Sequence, residues 1–168
     1  MTTHKILCPL DFSPSSQDAL RLAIRVAREQ HAELIVMHVW YVPLTGLGDF
    51  PLPRRIAERI VQQTTQSLDA AVQEAQAAGV RTVTQQLVQG VPGWMIIDAV
   101  NKDPAIGLVV VGTHGRTGLA RVLVGSVAEY VVRHAPCAVL VARHDRDDQT
   151  SDQRATEMVS GTRSCCES

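Results

Sequence analysis

The chain has 168 residues, 45% hydrophobic and 20% charged, with a formal net charge of −1. Its length suits one domain with a sizeable core, and its near-neutral charge excludes a general pull toward nucleic acid or an anionic membrane. Aromatic residues at 4% are too few for a single-strand stacking platform, and no apolar run is long enough to cross a bilayer.

The opening, MTTHKILCPLDFSP, lacks a basic n-region, a long apolar h-region and a small-residue cleavage site. It enters a short apolar strand at once, KILCPL (5–10), which ends at Asp11. Ser13 is placed to cap a first helix with Pro14 at its first position. Ala19, Leu20, Ala23, Ile24 and Ala27 then form one apolar face. A second strand, AELIVMHVW (32–40), contains His38, Val39 and Trp40. Residues 41–55 hold three prolines and two glycines and read as a mobile loop. Ile56, Ile60, Leu68, Val72 and Ala75 mark a longer helix that stops near Gly79.

A third strand, VRTVTQQLV (80–88), precedes a short helix opened by Pro92, with Met95, Ile96, Ala99 and Val100 on its apolar face. The fourth strand, GLVVVGT (107–113), leads into a segment rich in glycine. A last helix carries Val127, Ala128, Val131 and Val132 and ends before Pro136. CAVLVA (137–142) is the fifth strand. Runs such as LIVM and LVVV are apolar on both faces, as parallel strands covered on both sides require. The alternation predicts an α/β fold, a single doubly wound five-stranded parallel sheet of order 3-2-1-4-5 with right-handed crossovers. Residues 143–168 contain four arginines, six acidic residues and few apolar ones, so a disordered polar tail is expected. The domain proper is residues 1–142.

Four cysteines are present, none spaced as CxxC. Cys8 and Cys137 lie in apolar runs, and Cys165 and Cys166 are adjacent in the tail. A cytoplasmic protein without structural disulfides is the expectation. Trp40 and Trp94 are expected to be packing residues, and His38 a hydrogen-bonded core histidine. No His/Cys/carboxylate cluster suggests a metal site.

The candidate chemistry sits where the fourth strand ends, in GTHGRTGLARVLVGS (112–126). Ligands of open α/β sheets bind at the carboxyl ends of the strands. Gly125-Ser126 falls at the N-terminus of the last helix, where free amides and the helix dipole attract anions. Gly112, Gly115 and Gly118 let backbone approach phosphate oxygens, while Arg116 and Arg121 add positive charge. The bland alternatives are a tight turn, an ordinary helix cap and solvated arginines. Asp11 has three readings of its own: a ligand contact, a cap on the first helix, or an Asx hydrogen bond that stabilises the turn. There is no Gly-Lys dipeptide for a Walker A loop, GLGDFP (46–51) lacks the third glycine of a dinucleotide fingerprint, and Ser126 is not in a GxSxG context.

Gly112-x2-Gly115-x9-Gly125-Ser126 resembles the ATP-binding signature of the universal stress protein family. KILCPLDFSPSSQDAL likewise resembles the family's opening strand, Asp and first helix, and the resemblance spans about residues 4–142. It implies a nucleotide site in which Gly112, Gly115, Gly125, Ser126 and the backbone of Val127 meet phosphate and ribose. In that site Asp11 and Val39 meet adenine and Pro9 lines the ribose; Arg116 is added as a phosphate contact. The implied cofactor is ATP, with Mg²⁺ arriving alongside it, and the implied partner is a second copy joined through the 137–142 edge strand. The expected function is an ATP-binding stress-response sensor or regulatory module with at most slow hydrolysis. The alternatives are a slow ATPase or phosphotransferase, and a nucleotide-free partner-binding protein.

Overall fold

The computed structural model describes residues 5–41, 54–113 and 125–143. The elements run β1 (Lys5–Pro9), α1 (Pro14–Gln30), β2 (Glu33–Trp40), α2 (Arg54–Ala77), β3 (Val83–Gln89), α3 (Pro92–Lys102), β4 (Ile106–Gly112), α4 (Ser126–His134) and β5 (Ala138–Ala142). The strands form one parallel sheet in the order β3-β2-β1-β4-β5, the predicted topology.

Alternation along the strands sorts the core into two layers. Ile6, Cys8, Leu34, Val36 and Val110 point to one face, where Leu20 and Ala23 of α1 and Leu68 and Ala75 of α2 cover them. Leu7, Ile35, Met37, Val109 and Val111 point to the other, against Ile96 and Val100 of α3 and Ala128 and Val131 of α4. Two-sided burial of the central strands is what their continuous apolar sequence demands.

Helix ends account for where the strands begin. α1 starts as expected, with Ser13 as N-cap and Pro14 in the first turn; Ser13 Oγ accepts from the Ser16 amide at 3.3 Å. Its C-terminus closes through His31 in the left-handed region (φ 52°), with the His31 amide donating to Arg28 O and the Ala32 amide to Ala27 O. That pair of hydrogen bonds is a Schellman closure. α2 ends the same way: Gly79 (φ 95°) donates to Gln76 O and Val80 to Ala75 O. Ala32 and Val80, which the apolar pattern assigns to strands, are therefore buried cap residues, and β2 and β3 start at Glu33 and Val83.

One packing expectation is corrected. Trp40 is half-buried at the end of β2, but Trp94 is 61% exposed. It sits in the first turn of α3, off the stripe formed by Ile96 and Val100 that meets the sheet. The mobile loop expected at 41–55 lies largely, and the tail expected from 143 almost wholly, outside the described residues.

Candidate functional site

The carboxyl ends of β1, β2 and β4 converge with the N-termini of α3 and α4 around a cavity of about 240 Å³. That is somewhat below the usual range for small-molecule sites, about 300–1,000 Å³. Pro9, Asp11, Val39, Gly112, Gly125, Ser126 and Val127 all line it, so the structure brings together each sequence-derived candidate among the described residues. Gly115 and Arg116, with His114, Gly118 and Arg121, lie outside them. Sequence reasoning did not single out Leu10, Ser16, Pro92, Ile96, Val111 and Ala128, which complete the described lining. Their apolar spacing marked several as core, but nothing local signals that they also floor a cavity.

The first turn of α4 borders the cavity. Gly125 is the N-cap, with an extended ψ of 150° and no side-chain capping hydrogen bond. Its own amide donates to Thr113 O at 2.6 Å, and its carbonyl accepts from Glu129. Among the described residues, the amides of Ser126, Val127 and Ala128 find no acceptor. These are the orphan donors of a first helical turn, and all three residues line the cavity. The Thr113–Gly125 bond also brings the two ends of the glycine segment together. Thr113 is itself buried; its amide donates to Ala142 O, and its hydroxyl lies 3.4 Å from that of Ser15.

Gly112 has a steric reason of its own. A Cβ there would lie 2.6 Å from the Ser15 carbonyl oxygen and 2.7 Å from its carbon. No side chain fits where the start of α1 crosses the end of β4.

The β1 end carries a carboxylate held by its own turn. Asp11 Oδ1 accepts from the Ser13 amide at 3.0 Å and from Ser13 Oγ at 2.6 Å. The Asx-turn reading of Asp11 is thus correct, and the same side chain lines the cavity. Phe12 takes a left-handed conformation (φ 61°), and its ring stacks on His38 with centroids 4.9 Å apart. His38 is buried, and its Nδ1 donates to Leu10 O at 2.7 Å; a carbonyl can only accept, so Nδ1 carries the proton. Leu10 N in turn donates to Met37 O at 2.7 Å. His38 is the hydrogen-bonded core histidine expected, and it anchors the turn that presents Asp11.

The two described cysteines are free thiols. Burial pushes Cys8 far above the ordinary thiol range and raises Cys137 as well, so neither is a poised nucleophile.

Residues 2–143 match the model of the universal stress protein family. The chain belongs to that family. Universal stress protein MJ0531 of Methanocaldococcus jannaschii is 37% identical over 145 residues, an alignment covering 86% of this chain and 84% of that one. The universal stress protein UspA from Lactobacillus plantarum superposes with a TM-score of 0.75 at 26% identity, covering 85% of this chain and 99% of the other. A universal stress protein solved in complex with cAMP superposes with a TM-score of 0.63 at 24% identity, covering 85% and 98%. No helix among the described residues of this universal stress protein is long and apolar enough to cross a membrane.

Proposed function

We propose that this universal stress protein binds ATP in the β1/β4 cavity and acts in the cytoplasm as a regulatory module. The observation that carries the reading is the set of three amides at Ser126, Val127 and Ala128, without an acceptor among the described residues, lining a cavity that Asp11 also lines. Phosphate oxygens satisfy such donors, and the helix dipole adds to the attraction. Asp11 and the backbone at Val39 take adenine, Pro9 the ribose, and Gly112, Gly125, Ser126 and the Val127 backbone the phosphates. Gly115 and Arg116 complete the phosphate end, and Mg²⁺ arrives with the nucleotide. A fold relative that holds cAMP is in keeping with an adenine nucleotide here.

Binding rather than turnover is favoured by the lining chemistry. Phosphoryl transfer needs a group to position the attacking nucleophile. Asp11 is the one carboxylate among the described lining residues, and its Oδ1 is committed to Ser13. Any hydrolysis is slow.

Ser126→Pro tests the site at its carrying observation. Proline suits the first helical position, and the extended ψ of Gly125 suits the residue before a proline. The substitution removes one amide donor and one hydroxyl while leaving α4 intact. Calorimetry is expected to give ATP affinity about 10- to 100-fold weaker than wild type, the scale of a lost bond to a charged group. Unchanged affinity in a folded variant would refute the assignment.

The β5 edge supports a homodimer. It has no hydrogen-bonded neighbour on its outer side within the described sheet, and Leu140 within it is 36% exposed. A twofold pairing of such edges buries them. Light scattering is expected to give a dimer for wild type and a monomer for Leu140→Lys.

A further inference from the structure

A second concavity, about 410 Å³, has a lining of its own between α1 and the end of β5. Arg21 and Arg25 stand one turn apart on α1, and Arg143 follows the last strand residue; Leu22, Val141 and Ala142 are also part of the lining. All three arginines are exposed. Asp18 takes the Arg21 guanidinium at 2.7 Å. Among the described residues no ion pair engages Arg25 or Arg143. Among the described lining residues there are three guanidiniums and one carboxylate, in a chain whose net charge is −1.

The sequence supplies an acceptor at the groove's own edge. Arg143 lines the groove, and the chain continues from it as His-Asp-Arg-Asp-Asp, placing Asp145, Asp147 and Asp148 within the next five residues. We propose that the groove of Arg21, Arg25 and Arg143 is the docking place of this chain's own acidic segment, Asp145 to Asp148. Exposed ion pairs are individually weak and salt-sensitive. Here the carboxylates are tethered a few residues from their partners, at an effective concentration on the order of millimolar. Guanidinium forks suit carboxylates, and a pair freed from strong hydration gains geometric specificity. This assigns the first residues beyond the domain a task that the nucleotide site does not use.

The test uses the full chain and the triple substitution Asp145→Asn, Asp147→Asn, Asp148→Asn. NMR is read at the Nε–Hε signals of Arg21 and Arg25 and at the Leu22 amide, all more than a hundred residues away in sequence from the changes. These α1 signals are expected to move in the variant. Raising NaCl from about 25 to about 500 mM should move the wild-type Arg25 signal the same way and leave it nearly still in the variant, the Arg21 signal being set aside because its pair with Asp18 responds to salt in both. Changes confined to residues adjoining position 145 would overturn the proposal. So would inorganic phosphate shifting Arg21 and Arg25 equally in wild type and variant, which would mark a groove open to any free anion.

Discussion

At Gly112 two demands fall on one residue. The glycine spacing suggests room for a phosphate, and the structure adds that the Ser15 backbone already occupies the position of a Cβ. Gly112→Ala is therefore expected to destabilise the fold by about 1–3 kcal/mol, the usual scale of overpacking, whether or not nucleotide is present. Thermal melts with and without ATP would check this. A variant as stable as wild type would mean that α1 can retreat from β4. The sequence carries no sign of this clash, because Ser15 and Gly112 are nearly a hundred positions apart and meet only through the parallel sheet. His38 was legible as a core histidine from its apolar strand. Its bond to Leu10 O and its stacking on a left-handed Phe12 depend on the turn after β1, which no periodicity reveals.

Among the elements, the helices and strands were legible because each has one dominant period, and their boundaries were less so because caps borrow apolar residues. Ala32 and Val80 look like strand and serve as Schellman closures. The α1 closure places a histidine where glycine is preferred: His31 has φ 52°, a conformation costly to a residue with a Cβ. His31→Gly is expected to stabilise the protein by roughly 0.5–1 kcal/mol, measured by urea unfolding; a loss of stability would show that the imidazole contributes more than the strain costs. Of the apolar face expected in α3 (Met95, Ile96, Ala99 and Val100), Ile96, Ala99 and Val100 pack in the core layer, while nothing but residue type marks Trp94 for packing. Two residues before Ile96, it lies about 200° round the helix from the buried stripe, so Trp94→Ala is expected to change stability by no more than about 0.5 kcal/mol.

For the whole molecule, the two ends of the sheet do different work. The end opposite the cavity is held by charge: Lys5 Nζ lies 2.7 Å from Asp103 Oδ2 and 3.8 Å from Glu33 Oε2. The hydrogen bond with Lys5, then that from the Ala105 amide, hold Asp103 below the usual carboxylate range, and Asp103 in turn raises Lys5. A carboxyl depressed in the native state stabilises above its unfolded pKa and loses that contribution as pH falls through the native value. The raised lysine contributes below its ordinary pKa and loses it as pH rises through the native value. Asp103→Asn is therefore expected to lower stability at neutral pH, with the gap from wild type closing below about pH 4; a gap independent of pH would contradict the linkage. The sheet order and the clustering of Asp11, Gly112 and Ser126 at one end were legible, because a doubly wound topology brings the strand ends together wherever they lie in sequence.

The most direct measurement is an amide-resolved NMR titration of the full chain with ATP. The largest shifts are expected at the Ser126, Val127 and Ala128 amides, with a second set at Asp11 and Val39. Saturable binding that left those three amides unmoved would contradict the claim that the first turn of α4 receives the phosphates.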